Sequence, residues 1–256
     1  APGLLLPPAP EALHPALWRA HQLGRPVGAG LPSGFAALDA QLPGGGWPCQ
    51  GLTELLCPQP GTLEWRLLAP LLRTLCPAGG AARPAAASPV LLVGPPHPPH
   101  PPGLRADGID ERGLVWLQAH TAAERLWTTE QLLKARAPGV LVTWLPQARP
   151  EQLRRLQVLA GACETPVFVC RPASAAREPS AAPLRVHVGV APDWALTVDI
   201  LKRKGPPLTR PLRLSSVPGG LGAVLPPRLT QPVRPLLPEV AHVVVRPVPA
   251  AGHALH

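Results

Sequence analysis

Methionine, tyrosine and asparagine are missing from this chain, and only three of its 24 basic side chains are lysine, the rest being arginine. Together with abundant alanine and proline, this is the mark of GC-rich coding. Part of the composition is therefore mutational background and carries no functional meaning. No apolar run reaches the ~20 residues needed to span a membrane, so no membrane role is expected. The opening stretch APGLLLPPAPE lacks the basic start of a secretory leader. Cysteine is scarce and odd in number. Cys49, Cys57, Cys76, Cys163 and Cys170 show no paired spacing, which argues against a zinc cluster and predicts reduced, buried thiols in a cytoplasmic chain.

Proline and glycine are plentiful, 40 and 24 of 256 residues, at the edge of the range where chains stay disordered. The prolines cluster, which predicts a globular part and a non-globular part. The net charge of +9 and the pI near 10.6 favour nucleic acid or an acidic protein as partner. Arginine-rich coding alone would also give a basic surface with no ligand.

The chain is organised around Leu31 to Thr74. A glycine-rich entry leads to a short buried strand (Leu52 to Leu56), a Pro/Gly turn and an apolar helix carrying Leu63, Leu67, Leu68, Leu71 and Leu72. Strand, turn and helix is the setting of a phosphate-binding loop, which needs glycines, a lysine and a Ser/Thr hydroxyl. Here the turn reads Cys57, Pro58, Gln59, Pro60, Gly61, Thr62, Leu63, Glu64. Two prolines remove two N–H donors. Leu63 or Glu64 stands where lysine should, and a carboxylate there repels phosphate. No cofactor is expected to bind.

Taken in order, a Pro-rich lead precedes a short helix over Glu11 to Leu23, with Leu13, Leu17, Trp18 and Leu23 on its apolar side, and a linker follows to Gly30. The central helix contains Pro70, which costs about 3 kcal/mol in a helix interior and predicts a kink or break. Strands are expected at Val90 to Val93, Val115 to Leu117, Val140 to Trp144 and Val167 to Cys170. Thr121 and Glu124 form a capping box opening a helix to about Arg136, and Pro150 to Ala160 forms another that Gly161 stops. His97 and His100 are too few to hold a metal. The alternation of strands with helices and loops predicts an α/β fold with a largely parallel central sheet. Leu184 to Val190 and Trp194 to Ile200 then alternate apolar with polar, which predicts a C-terminal antiparallel hairpin with one wet face, ending in Lys202, Arg203 and Lys204. The chain divides into residues 1–30 (helix and linker), 31–214 (core) and 215–256, a Pro-rich, mostly disordered tail in which Val240 to Val245 has the character of a strand.

The order of elements resembles the core of RecA, the bacterial recombinase. Leu91 to Trp144 lies on RecA without a gap, including Asp107-Gly-Ile-Asp110, Leu114-Val115, Gln118 and Thr121. The segments LWRAHQLG (17–24), LPSGFAALDAQLPGGGWP (31–48), GLTELL (51–56) and VLVTWLP (140–146) look like motifs of the ImuA family, the RecA-like proteins associated with translesion DNA synthesis. The likeness covers residues 13 to 214 or so.

That resemblance implies a RecA-like core whose working residues are mostly absent. The loop Lys and Ser/Thr fall near Glu64 and Trp65, the catalytic Glu on Pro96, the Mg²⁺-binding Asp on Trp144 or Thr143, and the polar γ-phosphate sensor on Cys170, Arg171 or Pro172. Hydrolysis needs metal, water and charge stabilisation together, so the resemblance implies a non-enzymatic accessory of damage-inducible (SOS) error-prone synthesis. Its implied partners are RecA, an ImuB-like protein of Y-family type and an error-prone C-family DNA polymerase, with DNA a further partner. Lys202, Arg203, Lys204, Arg171 and Arg177 are candidates for nucleic-acid or inter-subunit contact, and Leu13, Leu17, Trp18 and Leu23 for a partner interface. Two other readings stay open: a SulA-like inhibitor of cell division, and an ATPase built unusually from Glu64, Glu54 and Thr62.

Overall fold

Apolar runs too short for helices and rich in Val and Leu become strands buried on both faces. These are β1 (Leu52–Cys57), β2 (Val90–Val93), β4 (Val140–Trp144) and β5 (Val167–Pro172). The computed structural model describes residues 28–79, 89–137, 139–222 and 224–226. The helix expected over Glu11 to Leu23 and the strand character of Val240 to Val245 fall outside the described residues.

The remaining strands are β3 (Leu114–Leu117), β6 (Leu184–Val190), β7 (Ala195–Lys202) and β8 (Leu212–Ser215). All eight form one sheet in the order β3-β2-β4-β5-β1-β6-β7-β8. Strands β1 to β6 run parallel, and β7 and β8 are added antiparallel. The α/β class, the mostly parallel sheet and the antiparallel end match the sequence expectation.

The helices are α1 (Ala36–Asp39), α2 (Leu63–Leu75), α3 (Pro101–Ala106), α4 (Ala122–Lys134), α5 (Pro150–Ala160) and α6 (Gly219–Gly222). One sheet face packs on α2 through Leu63, Leu67, Leu71 and Leu72, joined by Leu38 and Trp47 from the entry segment. That segment closes on itself: Leu31 bridges Trp47, and the Trp47 ring meets Phe168 edge-on at 5.2 Å. The other face packs on α4 and α5 through Leu133, Leu153 and Leu156. The expected capping box opens α4, with Thr121 Oγ1 accepting from Glu124 N.

Three features add to or depart from the expectation. Helix α2 runs through Pro70 without a break. Proline leaves the Arg66 carbonyl without its helical donor, and the Ser216 hydroxyl donates to it at 3.3 Å instead. Contacts continue past residue 214: β8 extends to Ser215, Arg66 donates to the Ser216 carbonyl, and Gly219 N donates to Asp107 Oδ1. Arg185 belongs to the polar side of β6, yet it is buried; the wet face starts at His187.

Candidate functional site

The carboxyl ends of the parallel strands are where α/β sheets bind ligands, and the β1–α2 turn lies there. Helix α2 starts with amide N–H groups that have no partner within the helix. Glu64, in its first turn, folds back to supply one. Its Oε1 accepts from Gly61 N at 2.5 Å and its Oε2 from Thr62 N at 3.1 Å. The indole Nε1 of Trp144, at the end of β4, donates to the same Oε1 at 2.6 Å. Glu64 is 1% exposed. Gly61 sits at φ +88°, and a Cβ there would come within 2.8 Å of Pro96, so this ring and His97 lie directly over the turn. Trp65 packs its ring on Trp144 with centroids 5.9 Å apart.

The fold also decides between the alternative positions. Trp144 faces α2 and the turn, whereas Thr143 points to the opposite face and hydrogen-bonds Thr129 of α4 at 2.8 Å. Cys170 lies on the turn side, and Arg171 on the other. On the side of the turn, the ends of β4 and β5 therefore present an indole and a thiol. Burial, and then the Glu64 carboxylate, push the Cys57 thiol well above its ordinary range. Burial does the same to Cys170, with Glu64 and Cys57 adding to it. Both stay protonated, so neither is a nucleophile. The turn as folded does not fit a nucleotide with its metal: it holds no lysine, its one carboxylate is engaged by Gly61, Thr62 and Trp144, and Pro96 and His97 lie over it. Thr62 Oγ1 donates to the Gln59 carbonyl at 2.9 Å, within the turn itself.

Glu54 is taken by a different task. It sits in mid-strand, fully buried, and accepts from Arg171 Nη1 at 2.8 Å and from Arg185 Nε at 2.5 Å. Arg171 also donates to the Ala148 carbonyl and to Glu178, and Arg185 to the carbonyls of Ala175 and Ala176. Arg171, a candidate surface contact in the sequence, is thus corrected to a core residue, 2% exposed. The alternation of Arg185 with apolar neighbours could not show this, because its partner lies 131 residues away.

The basic run after β7 divides in the same way. Arg203 is half-buried and donates to the carbonyls of Pro206 and Gln41, which ties it to the entry segment. Lys202 and Lys204 are exposed, Lys202 donating to the Ser180 carbonyl at 3.0 Å, and Arg177 is exposed. Of the five candidates, Lys202, Lys204 and Arg177 are surface cations, Arg203 is partly exposed and Arg171 lies in the core. Leu13, Leu17, Trp18 and Leu23 lie outside the described residues. His100 Nδ1 accepts from Gly103 N as a helix cap. Among the described residues no cluster of three His, Cys, Asp or Glu is placed to hold a metal, and no helix is long and apolar enough to cross a membrane.

No protein-family model matches the chain, and no curated protein matches it either.

Proposed function

We propose that the chain is a non-catalytic, RecA-like adaptor of damage-inducible error-prone translesion DNA synthesis, working in the bacterial cytoplasm at the nucleoid. It docks among RecA, an ImuB-like protein of Y-family type and an error-prone C-family polymerase. One observation carries the reading: the turn that binds phosphate in a nucleotide-hydrolysing relative is closed by Glu64, Trp144 and Pro96. The fold is kept and the reaction centre is filled, as suits a protein whose surfaces do the work. The motifs at 17–24, 31–48, 51–56 and 140–146 support the family, and the element order supports the fold.

Partner contact is assigned to the segment before residue 28, through Leu13, Leu17, Trp18 and Leu23, because buried aromatic anchors are typical interface hot spots, worth about 2 kcal/mol or more. The test has two arms. Phosphate release from ATP with Mg²⁺ and single-stranded DNA is expected at background; turnover that disappears in Glu64→Ala refutes the reading. Co-purification with RecA is expected for the full chain and lost in Trp18→Ala with unchanged melting. Binding untouched by that substitution removes the segment from the interface.

A further inference from the structure

We infer that Glu64 is an internal anion: it occupies the place a phosphate takes in a working β1–α2 turn and holds the turn shut against outside anions. The inference shares the closed turn with the adaptor reading, but its test reads only what fills that turn and neither partner binding nor turnover.

The molecule contains its own comparison. Glu124, in the first turn of α4, also folds back on a helix start, accepting from His120 N at 2.8 Å and Thr121 N at 3.1 Å. That is an ordinary capping box, and Glu124 is exposed to solvent. Glu64 likewise accepts from two backbone amides, one on each oxygen where Glu124 uses a single oxygen, and it differs in two further respects. It is buried, and it receives a third donor from β4, 80 residues along the chain. A helix cap needs neither. A buried carboxylate needs compensating donors for both oxygens, and here backbone amides, a helix start and an indole converge to provide them. Backbone amides at a helix start are the groups with which such a turn would surround a phosphate. Pro96 and His97 close the outer side. For an outside phosphate to enter, this carboxylate would have to leave, and while it stays its charge repels the newcomer.

Removing the carboxylate therefore leaves three converging donors around a space that fits a small oxyanion. The test is chemical rescue of Glu64→Ala in the full chain, with acetate as the probe and inorganic phosphate as the second probe. Unfolding is measured against sodium chloride at equal ionic strength. The variant is expected to be less stable than wild type and to regain stability saturably with acetate, its unfolding constant falling about tenfold at ten times the Kd. Wild type and Glu124→Ala are expected to show no such saturation. Equal effects of acetate on all three proteins overturn the inference. If Glu64→Ala does not fold, hydrogen exchange in wild type decides. The amides of Gly61 and Thr62 and the indole of Trp144 are expected to exchange as slowly as the β1 amides, and in Glu64→Gln all three are expected to speed up together. Exchange at the rate of an open loop in wild type overturns the inference.

Discussion

Replacing Glu54 with glutamine changes almost no volume and removes one charge, so it isolates the electrostatics of the sheet centre. In the folded protein the carboxylate is fully buried between two guanidiniums, at 2.8 Å from Arg171 and 2.5 Å from Arg185. Arg171 keeps Glu178, whose side chain is half exposed, and Arg185 keeps only backbone carbonyls. Taking one partner from a buried ion pair costs about 3–5 kcal/mol, because the charge left behind is uncompensated. A domain has about 5–15 kcal/mol in total. At about 2–4 °C per kcal/mol for a chain of this size, Glu54→Gln should lower Tm by roughly 6–20 °C. Thermal and urea unfolding followed by circular dichroism measure this, with the urea dependence unchanged. A loss under about 1 kcal/mol, the value of an exposed pair, refutes the reasoning. Replacing the set together (Glu54→Leu, Arg171→Met, Arg185→Met) should cost less than Glu54→Gln alone, since no stranded charge remains.

Other outcomes follow from the same coordinates. Arg136 lies at φ +48° just past α4, where Ala137 N donates to the Leu132 carbonyl in the manner of a glycine-terminated helix; Arg136→Gly should raise stability by about 0.5–1 kcal/mol in urea unfolding. Cys57 and Cys170 have pKa values raised in the fold, so their contribution is complete below the ordinary thiol value of 9.0 and is lost as pH rises above it, where only the unfolded chain ionises. Stability should then fall by about 1.4 kcal/mol per pH unit per thiol, and Cys57→Ala with Cys170→Ala should flatten that fall. If single-stranded DNA meets the end of β7, Lys202→Ala with Lys204→Ala should lower the salt slope of binding by about 1.4 log units, while Arg203→Ala should act on melting instead; an unchanged slope shows that the two lysines are only solvated.

The buried strands were legible because strands covered on both faces are largely apolar, as at Val90–Val93 and, Thr143 apart, Val140–Trp144. The start of α4 was legible because its cap is local, with Thr121 and Glu124 three residues apart. What escaped depends on residues far apart in sequence. Leu212–Ser215 looks like loop between prolines and becomes a strand only because the edge of β7 is there to pair with it. The continuity of α2 through Pro70 needs a hydroxyl 150 residues away from Arg66. At the candidate site, the absence of a lysine from the turn could be read directly. That Glu64 fills the turn could not, because nothing near Glu64 in sequence announces Trp144.

The place of β1 in the sheet also has a meaning during synthesis. It is the first made of the described strands, yet its neighbours are β5 and β6. Until β5 is complete at residue 172 the segment LTELLC has both edges unpaired, and one edge still waits for β6, so it has the traits of a sticky strand. Its one charge is Glu54. A lone charge inside an apolar strand acts as a gatekeeper against intermolecular pairing. The same carboxylate that opposes aggregation in the growing chain is neutralised by Arg171 and Arg185 when β5 and β6 arrive, 117 and 131 residues later. One side chain thus guards the strand while it waits and fastens it once its neighbours are in place.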